Sequence, residues 1–285
     1  YNSYWFKKKD LYESCYMTYL KVKKVSFFSE IKNFNEPILI KNGCHDMKAI
    51  KKWNYNYLKN KFKDNVLPVE VYSKRKDMEQ IVVKDKRDLK MDIFFDKLFN
   101  NDPPYLYFAE LELENYRKIL DKDLFLDVSS YMDVQLTDLN HNLLFIGNNS
   151  KSGCHIHVTG DYILNQVTGT KIVYIFDYNE NYVQSRGLFN ETSNFSKENF
   201  FKMDHSGKKI YKVILTPGDS LFIPPWWWHA VEGIGFSCSV TKVYTRNDYK
   251  YLNWKPFLIL LFIKTLFEGY KEIFLTNLID KVRQW

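Results

Sequence analysis

Two histidines separated by a single residue, in Cys154–His155–Ile156–His157–Val158, are the first sign of chemistry in this chain. On a strand, positions i and i+2 point to the same face, so both imidazoles can reach one metal ion. A further ligand must come from elsewhere, and His229 stands 72 residues beyond His157 (229 − 157), directly after Trp226–Trp227–Trp228. Three imidazoles with open positions suit Fe(II), Zn or another first-row ion. The competing reading is a pair of solvent-exposed or hydrogen-bonded histidines, because a His-x-His by itself is a weak motif.

The stretch Leu215–Thr216–Pro217–Gly218–Asp219–Ser220–Leu221–Phe222–Ile223–Pro224–Pro225–Trp226–Trp227–Trp228–His229–Ala230–Val231 strengthens the metal reading. Pro-Gly-Asp makes a tight turn, the next four residues form a buried strand, and Pro-Pro ends it. The aromatics are expected to wall a cavity with His229 at its rim, Trp226 and Trp228 facing the substrate. This segment closely resembles the second metal-binding motif of the Jumonji C and related cupin-like oxygenases. Leu144–Phe145–Ile146–Gly147, followed eight residues after the glycine by His155, and Asn165–Gln166–Val167–Thr168–Gly169–Thr170–Lys171 are similar to that family's first strand, first ligand and Gln-x-x-Gly-x-Lys. Glu36–Pro37–Ile38–Leu39–Ile40, Trp53, Tyr57–Leu58 and Pro104–Tyr105–Leu106–Tyr107 look like its N-terminal approach segments. The resemblance runs from about Phe34 to Tyr244.

The family implies a double-stranded β-helix that holds Fe(II) through His-x-Asp/Glu…His. It also implies 2-oxoglutarate and O2 as cosubstrates, with a lysine holding the far carboxylate of 2-oxoglutarate. Lys171 matches that lysine, and a buried ammonium needs an anion opposite it. The competing reading for Lys171 is an exposed strand face. Ser152 matches a Ser/Thr position that donates a hydrogen bond to the same carboxylate, with Ser150 as its competitor, and Thr241 is a further pocket-facing candidate.

The departure from the family is His157, where a carboxylate belongs. An imidazole there leaves a bound divalent ion with both positive charges before cosubstrate arrives, and softens the ligand set. From His155 to Gly169 is 14 residues (169 − 155), one more than is usual in the family. Asp161 is therefore an alternative carboxylate ligand; otherwise the site has three histidines or is degenerate.

The expected activity is a 2-oxoglutarate- and Fe(II)-dependent dioxygenase that hydroxylates, or demethylates, a protein or peptide side chain. A tRNA-modifying hydroxylase stays open within the same chemistry. Gln166–Val167–Thr168–Gly169 also looks like a segment of the wybutosine-pathway hydroxylase, and the chain is basic. Two further classes compete. One is a pseudo-oxygenase whose pocket binds a peptide, and the other is a three-histidine zinc hydrolase. Lys171 speaks against the hydrolase, since a zinc-bound water needs no anchor for a distant carboxylate.

The elements that must position these residues are expected to be mainly β with flanking helices, a jelly roll of the cupin type, within a single domain over 1–285. Residues 29–139 read as an N-terminal α/β support with strands at Pro37–Lys41 and Val69–Tyr72 and helices at Met47–Lys63 and Met91–Phe99. Residues 140–247 read as the core, with short strands at Leu143–Ile146, Tyr162–Val167, Ile172–Phe176, Tyr211–Leu215, Ser220–Ile223 and Phe236–Tyr244. The loop from Asp177 to Lys209 is long enough for a lid or an insertion, and with Trp226–Trp228 it is expected to wall the substrate side. Residues 253–285 read as helices burying Phe257, Leu261 and Phe274 on the barrel or in a homodimer.

Composition agrees with such a core. The chain has 285 residues, 45% of them hydrophobic and 18% aromatic, which excludes a disordered or collagen-like chain. Its formal net charge of +7 is spread over short clusters such as Lys21–Lys24 and Lys59–Lys63, the pattern of a solvated surface. Four separated cysteines without a Cys-x-x-Cys pair suggest a reduced intracellular compartment, cytoplasmic or nuclear. No membrane span is expected, because Lys264 and Glu268 follow the apolar run Phe257–Ile263 well before the roughly 20 residues a bilayer requires.

Overall fold

Among the described residues, alternating apolar residues and closely spaced turn formers produce eleven strands, connected in one large mixed sheet. The computed structural model describes residues 19–31, 34–80, 85–100, 102–112, 136–158, 160–187, 192–246, 259–261, 263–265 and 267. The strands are β1 Lys23–Val25, β2 Ile38–Ile40, β3 Val66–Tyr72, β4 Asp85–Lys90, β5 Tyr105–Glu112, β6 Leu136–Asn148, β7 Lys151–His155, β8 Asp161–Asp177, β9 Tyr211–Leu215, β10 Ser220–Ile223 and β11 Trp227–Arg246. Helices α1 Lys48–Lys52, α2 Tyr55–Phe62, α3 Arg75–Met78 and α4 Met91–Lys97 lie in the N-terminal half. The fold is thus mainly β with few helices, as a jelly roll requires.

Two long antiparallel strands organise the sheet. The first part of β8 pairs with β10 and its second part with β9, while β11 pairs along its length with β8 and in turn with β7 and β6. The β8/β11 ladder slips between Ile234 and Ser239. Gly169 stands at this slip with φ +72°, and a Cβ there would meet the carbonyl oxygen of Phe236. Only glycine fits such a position. The slip has a functional consequence, because it shifts the alternation of side chains: Tyr162 and Leu164 face inward before it, and Lys171 faces inward after it.

The largest apolar cluster joins α1, α2 and α4 to β3, β5 and β6 through Trp53, Leu58, Phe62, Phe94, Phe108 and Ile146. The expected helix over Met47–Lys63 is in fact two. Trp53 turns into the core, and Asn54 caps the second helix by accepting a hydrogen bond from the Tyr57 amide at 2.9 Å. The Pro217–Gly218–Asp219 turn is present, with Gly218 at φ +95°. The buried Asp219 accepts hydrogen bonds from the Thr216 amide (3.0 Å), the Thr216 hydroxyl (2.7 Å) and Lys41 Nζ (2.5 Å), which ties the turn to the end of β2.

Cys44, Cys154 and Cys238 are buried free thiols, and Cys15 lies outside the described residues. In the C-terminal helix Leu261 is buried beside Trp228, while Phe257 and Phe274 lie outside the described residues. Among the described residues no helix is long and apolar enough to cross a membrane.

Candidate metal centre

β7 and β11 run antiparallel with His155 directly opposite His229, so register alone places two imidazoles side by side. Their ring centroids are 4.1 Å apart. β7 ends at His155, and His157 lies just beyond it in irregular backbone rather than on a continuous strand. That backbone is nevertheless tethered, by Ile156 N–H donating to the Asn194 carbonyl (2.9 Å) and Trp226 N–H donating to the His157 carbonyl (3.0 Å). The His157 ring comes within 4.7 Å of the His229 ring, and the three side chains offer ligand atoms that all lie within 4.8 Å of one another. Asp161, the alternative carboxylate, is buried at the start of β8 opposite Tyr244 and is outside this group.

Hydrogen bonding and burial set the state of the donor atoms. Nδ1 of His155 bonds the Gly153 carbonyl at 2.8 Å, and Nδ1 of His229 bonds the Trp227 carbonyl at 3.0 Å. A carbonyl only accepts, so each Nδ1 carries a proton, and Nε2 is the ring atom of each that can turn to a cation. Burial, followed by the neighbouring imidazoles, holds His157 and His229 well below the usual histidine range, so both rings are neutral at pH 7.

The three rings line a cavity of about 450 Å³. Ser152, Lys171 and Thr241 line it too, whereas Ser150 does not. Lys171 is only 3% exposed. Its ammonium donates to Ser239 Oγ at 2.5 Å and lies 5.2 Å from the Phe145 ring centroid. Among the described residues no carboxylate pairs with it. Burial, opposed weakly by Cys238, lowers its pKa to about 8. A cation buried in this way suits an anion brought from outside.

Trp226 and Trp228 stand elsewhere than expected. They pack with Cys154, Ile156, Phe176 and Phe200 behind the ligand strands, and neither lines the cavity. The reason is the strand period: once His229 points inward, Trp228 beside it must point away. The cavity is walled by Tyr107, Glu110 and Tyr162, and by Asn194 and Phe195 on the long loop. Phe195 stacks on His155 at 5.2 Å, and Arg186 holds its loop by donating to the Gln80 and Ser196 carbonyls. Glu110 sits at an irregularity between Phe108 and Leu111 with φ +60°, and is the single carboxylate residue among the described lining residues. Alternation through Leu164 would have identified Tyr162 from the sequence; the loop residues leave no comparable local signal.

Comparison with known proteins gives two findings. The family model for a cupin-like domain matches residues 24–249. The HSPB1-associated protein 1 homolog of Danio rerio is 29% identical over 106 residues, a match that covers 34% of this chain and 24% of that protein. The chain therefore spans about a quarter of that relative's length.

Proposed function

Because the chain belongs to the cupin-like domain family, we propose that it is an Fe(II)- and 2-oxoglutarate-dependent dioxygenase that hydroxylates a side chain of a protein or peptide. The observation that carries this reading is Lys171, a buried ammonium without a carboxylate partner among the described residues, in the same cavity as three clustered imidazoles. A hydrolytic metal site has no use for such a cation. An oxoacid cosubstrate with a second carboxylate does.

In this reading His155, His157 and His229 hold the metal. When bound, the metal supplies the redox centre at which O2 and 2-oxoglutarate react. Lys171 takes the distant carboxylate, with Ser239 fixing the direction of the ammonium and the hydroxyls of Ser152 and Thr241 available to the same anion. Three neutral imidazoles leave a divalent ion's charge uncompensated, which favours a dianionic cosubstrate. Phe145 and Phe195 keep water from the polar centre, and Tyr107, Glu110 and Asn194 face the incoming side chain.

The test is an anaerobic titration with Fe(II) and 2-oxoglutarate, followed by admission of air. A metal-to-ligand charge-transfer band and then succinate are expected, the band needing more 2-oxoglutarate when Lys171 is replaced. Absence of the band in protein that has taken up Fe(II) refutes the assignment. His157 favours a second reading, since it withholds the carboxylate donation that supports O2 activation. A pseudo-oxygenase that binds a peptide in this cavity would show the band and form no succinate.

A further inference from the structure

Two of the three imidazoles are locked by their own backbone, and the third is not. His155 and His229 each give their Nδ1 proton to the carbonyl two residues before them. A bond of this kind sets the ring's tautomer and its direction, and metal-ligating histidines ordinarily have one. His157 makes no hydrogen bond through its ring among the described residues. Its main chain is held by the Trp226 amide, which leaves both side-chain torsions of the imidazole to be fixed by something else.

That fixing element is a ring face. Tyr162, at the second position of β8, lies flat against His157, with 3.5 Å between ring centroids and 12° between planes. The β8/β11 ladder sets the Tyr162 main chain opposite Val243, and its side chain packs against the buried cluster that contains Leu164, Leu221 and Ile223, so the ring is a supported platform. With Tyr162 stacked on its face and the His229 ring 4.7 Å away at 36°, the His157 ring is confined where it lines the cavity.

Resting on the reading of the three histidines as metal ligands, we propose that Tyr162 is a positioning residue for His157, its ring face taking the part that the backbone carbonyls play for His155 and His229. The pairing explains how an imidazole works where the family has a carboxylate. A histidine there must be oriented about two torsions, and an aromatic platform next to it supplies the orientation. A carboxylate at position 157 has little flat surface to stack and gains nothing from the platform.

The experiment uses Co(II) alone as probe. Affinity and visible absorption are measured by titration for the wild-type chain, Tyr162→Phe, Tyr162→Leu, His157→Asp and the double variant His157→Asp/Tyr162→Leu. Tyr162→Phe keeps the ring and should bind within about twofold of wild type. Tyr162→Leu should bind about three- to tenfold more weakly, the scale of one side chain that must now be immobilised on binding, and its Co(II) spectrum should shift. In the His157→Asp background the same Leu substitution should cost nothing. An equal loss in both backgrounds makes Tyr162 merely structural and overturns the proposal, as does an unchanged affinity in Tyr162→Leu. If the wild-type chain binds no Co(II), the metal-site reading itself fails and takes the proposal with it. Should Tyr162→Leu not fold, Tyr162→Met carries the same arms.

Discussion

Replacing Lys171 by Met should make the ligand-free protein more stable and at the same time weaken its hold on 2-oxoglutarate. Lys171 is buried, and burial lowers its pKa from 10.5 to about 8. At about 1.4 kcal/mol per pH unit, the charged form costs about 3 kcal/mol of folding free energy near neutral pH. Methionine fills a similar volume without charge but leaves Ser239 without its donor, which returns about 1 kcal/mol. A net gain of about 2 kcal/mol at pH 7 follows. The sign fixes the pH window. Below about pH 8 the lysine is charged in both folded and unfolded states and the penalty is constant. Between about 8 and 10.5 the unfolded chain binds more protons, so wild-type stability rises with pH, and the advantage of the Met variant shrinks. Urea denaturation of both proteins at pH 7 and pH 10, without ligand, measures this. Cosubstrate affinity, followed by the charge-transfer band, should fall by about 1.5–3 kcal/mol in the variant while metal affinity stays nearly intact. A variant less stable than wild type at pH 7, or one that binds 2-oxoglutarate as well, would sink the argument that this ammonium is held ready for an anion.

Three further outcomes are expected. Metal content should fall at least about 100-fold in His157→Ala and His229→Ala and persist in Asp161→Ala, while His157→Asp should keep Fe(II) and form succinate at an equal or higher rate; retention in His157→Ala with loss in Asp161→Ala would move the ligand role to Asp161. Gly169→Ala should cost about 2–4 kcal/mol in denaturant unfolding, because it places a side chain at positive φ and against the Phe236 carbonyl, and a variant of unchanged stability would show that the β8 slip does not need glycine. Burial raises the Asp219 carboxyl, but hydrogen bonds from Lys41 and Thr216 outweigh it and hold the group below its ordinary value; its share of stability is therefore present at neutral pH and lost on acidification below about pH 4, so melting temperatures from pH 7 to pH 2.5 should fall more steeply for wild type than for Asp219→Asn.

Much of the site is legible in the sequence because local chemistry dictates it. Pro217–Gly218–Asp219 can only turn, Pro224–Pro225 ends β10, and Gly169 two residues before Lys171 marks the slip that aims the lysine inward. The fold class follows from strand spacing and the resemblance together. Other features depend on contacts that no window of sequence contains. The split between α1 and α2 is decided by Trp53 seeking the core formed by residues such as Phe108 and Ile146. Asn194 and Phe195 reach the cavity because a long loop docks on the edge of β7. The orientation of Trp228 was within reach of simple alternation from His229, whereas Trp226 lies in the turn before β11 at φ +69°, outside any strand period.

The length of β11 has a consequence for how the centre comes into being. This one strand, the last of the described strands, pairs with β6, β7 and β8 and carries His229. A chain that has folded everything before it has two imidazoles and no partner for them across the ladder. Assembly of the three-histidine cluster therefore coincides with insertion of β11, a step that closes contacts between residues far apart in sequence and is intrinsically slow. In the metal-binding reading, the signal of an ion held by all three imidazoles should therefore appear during refolding with the phase that inserts β11.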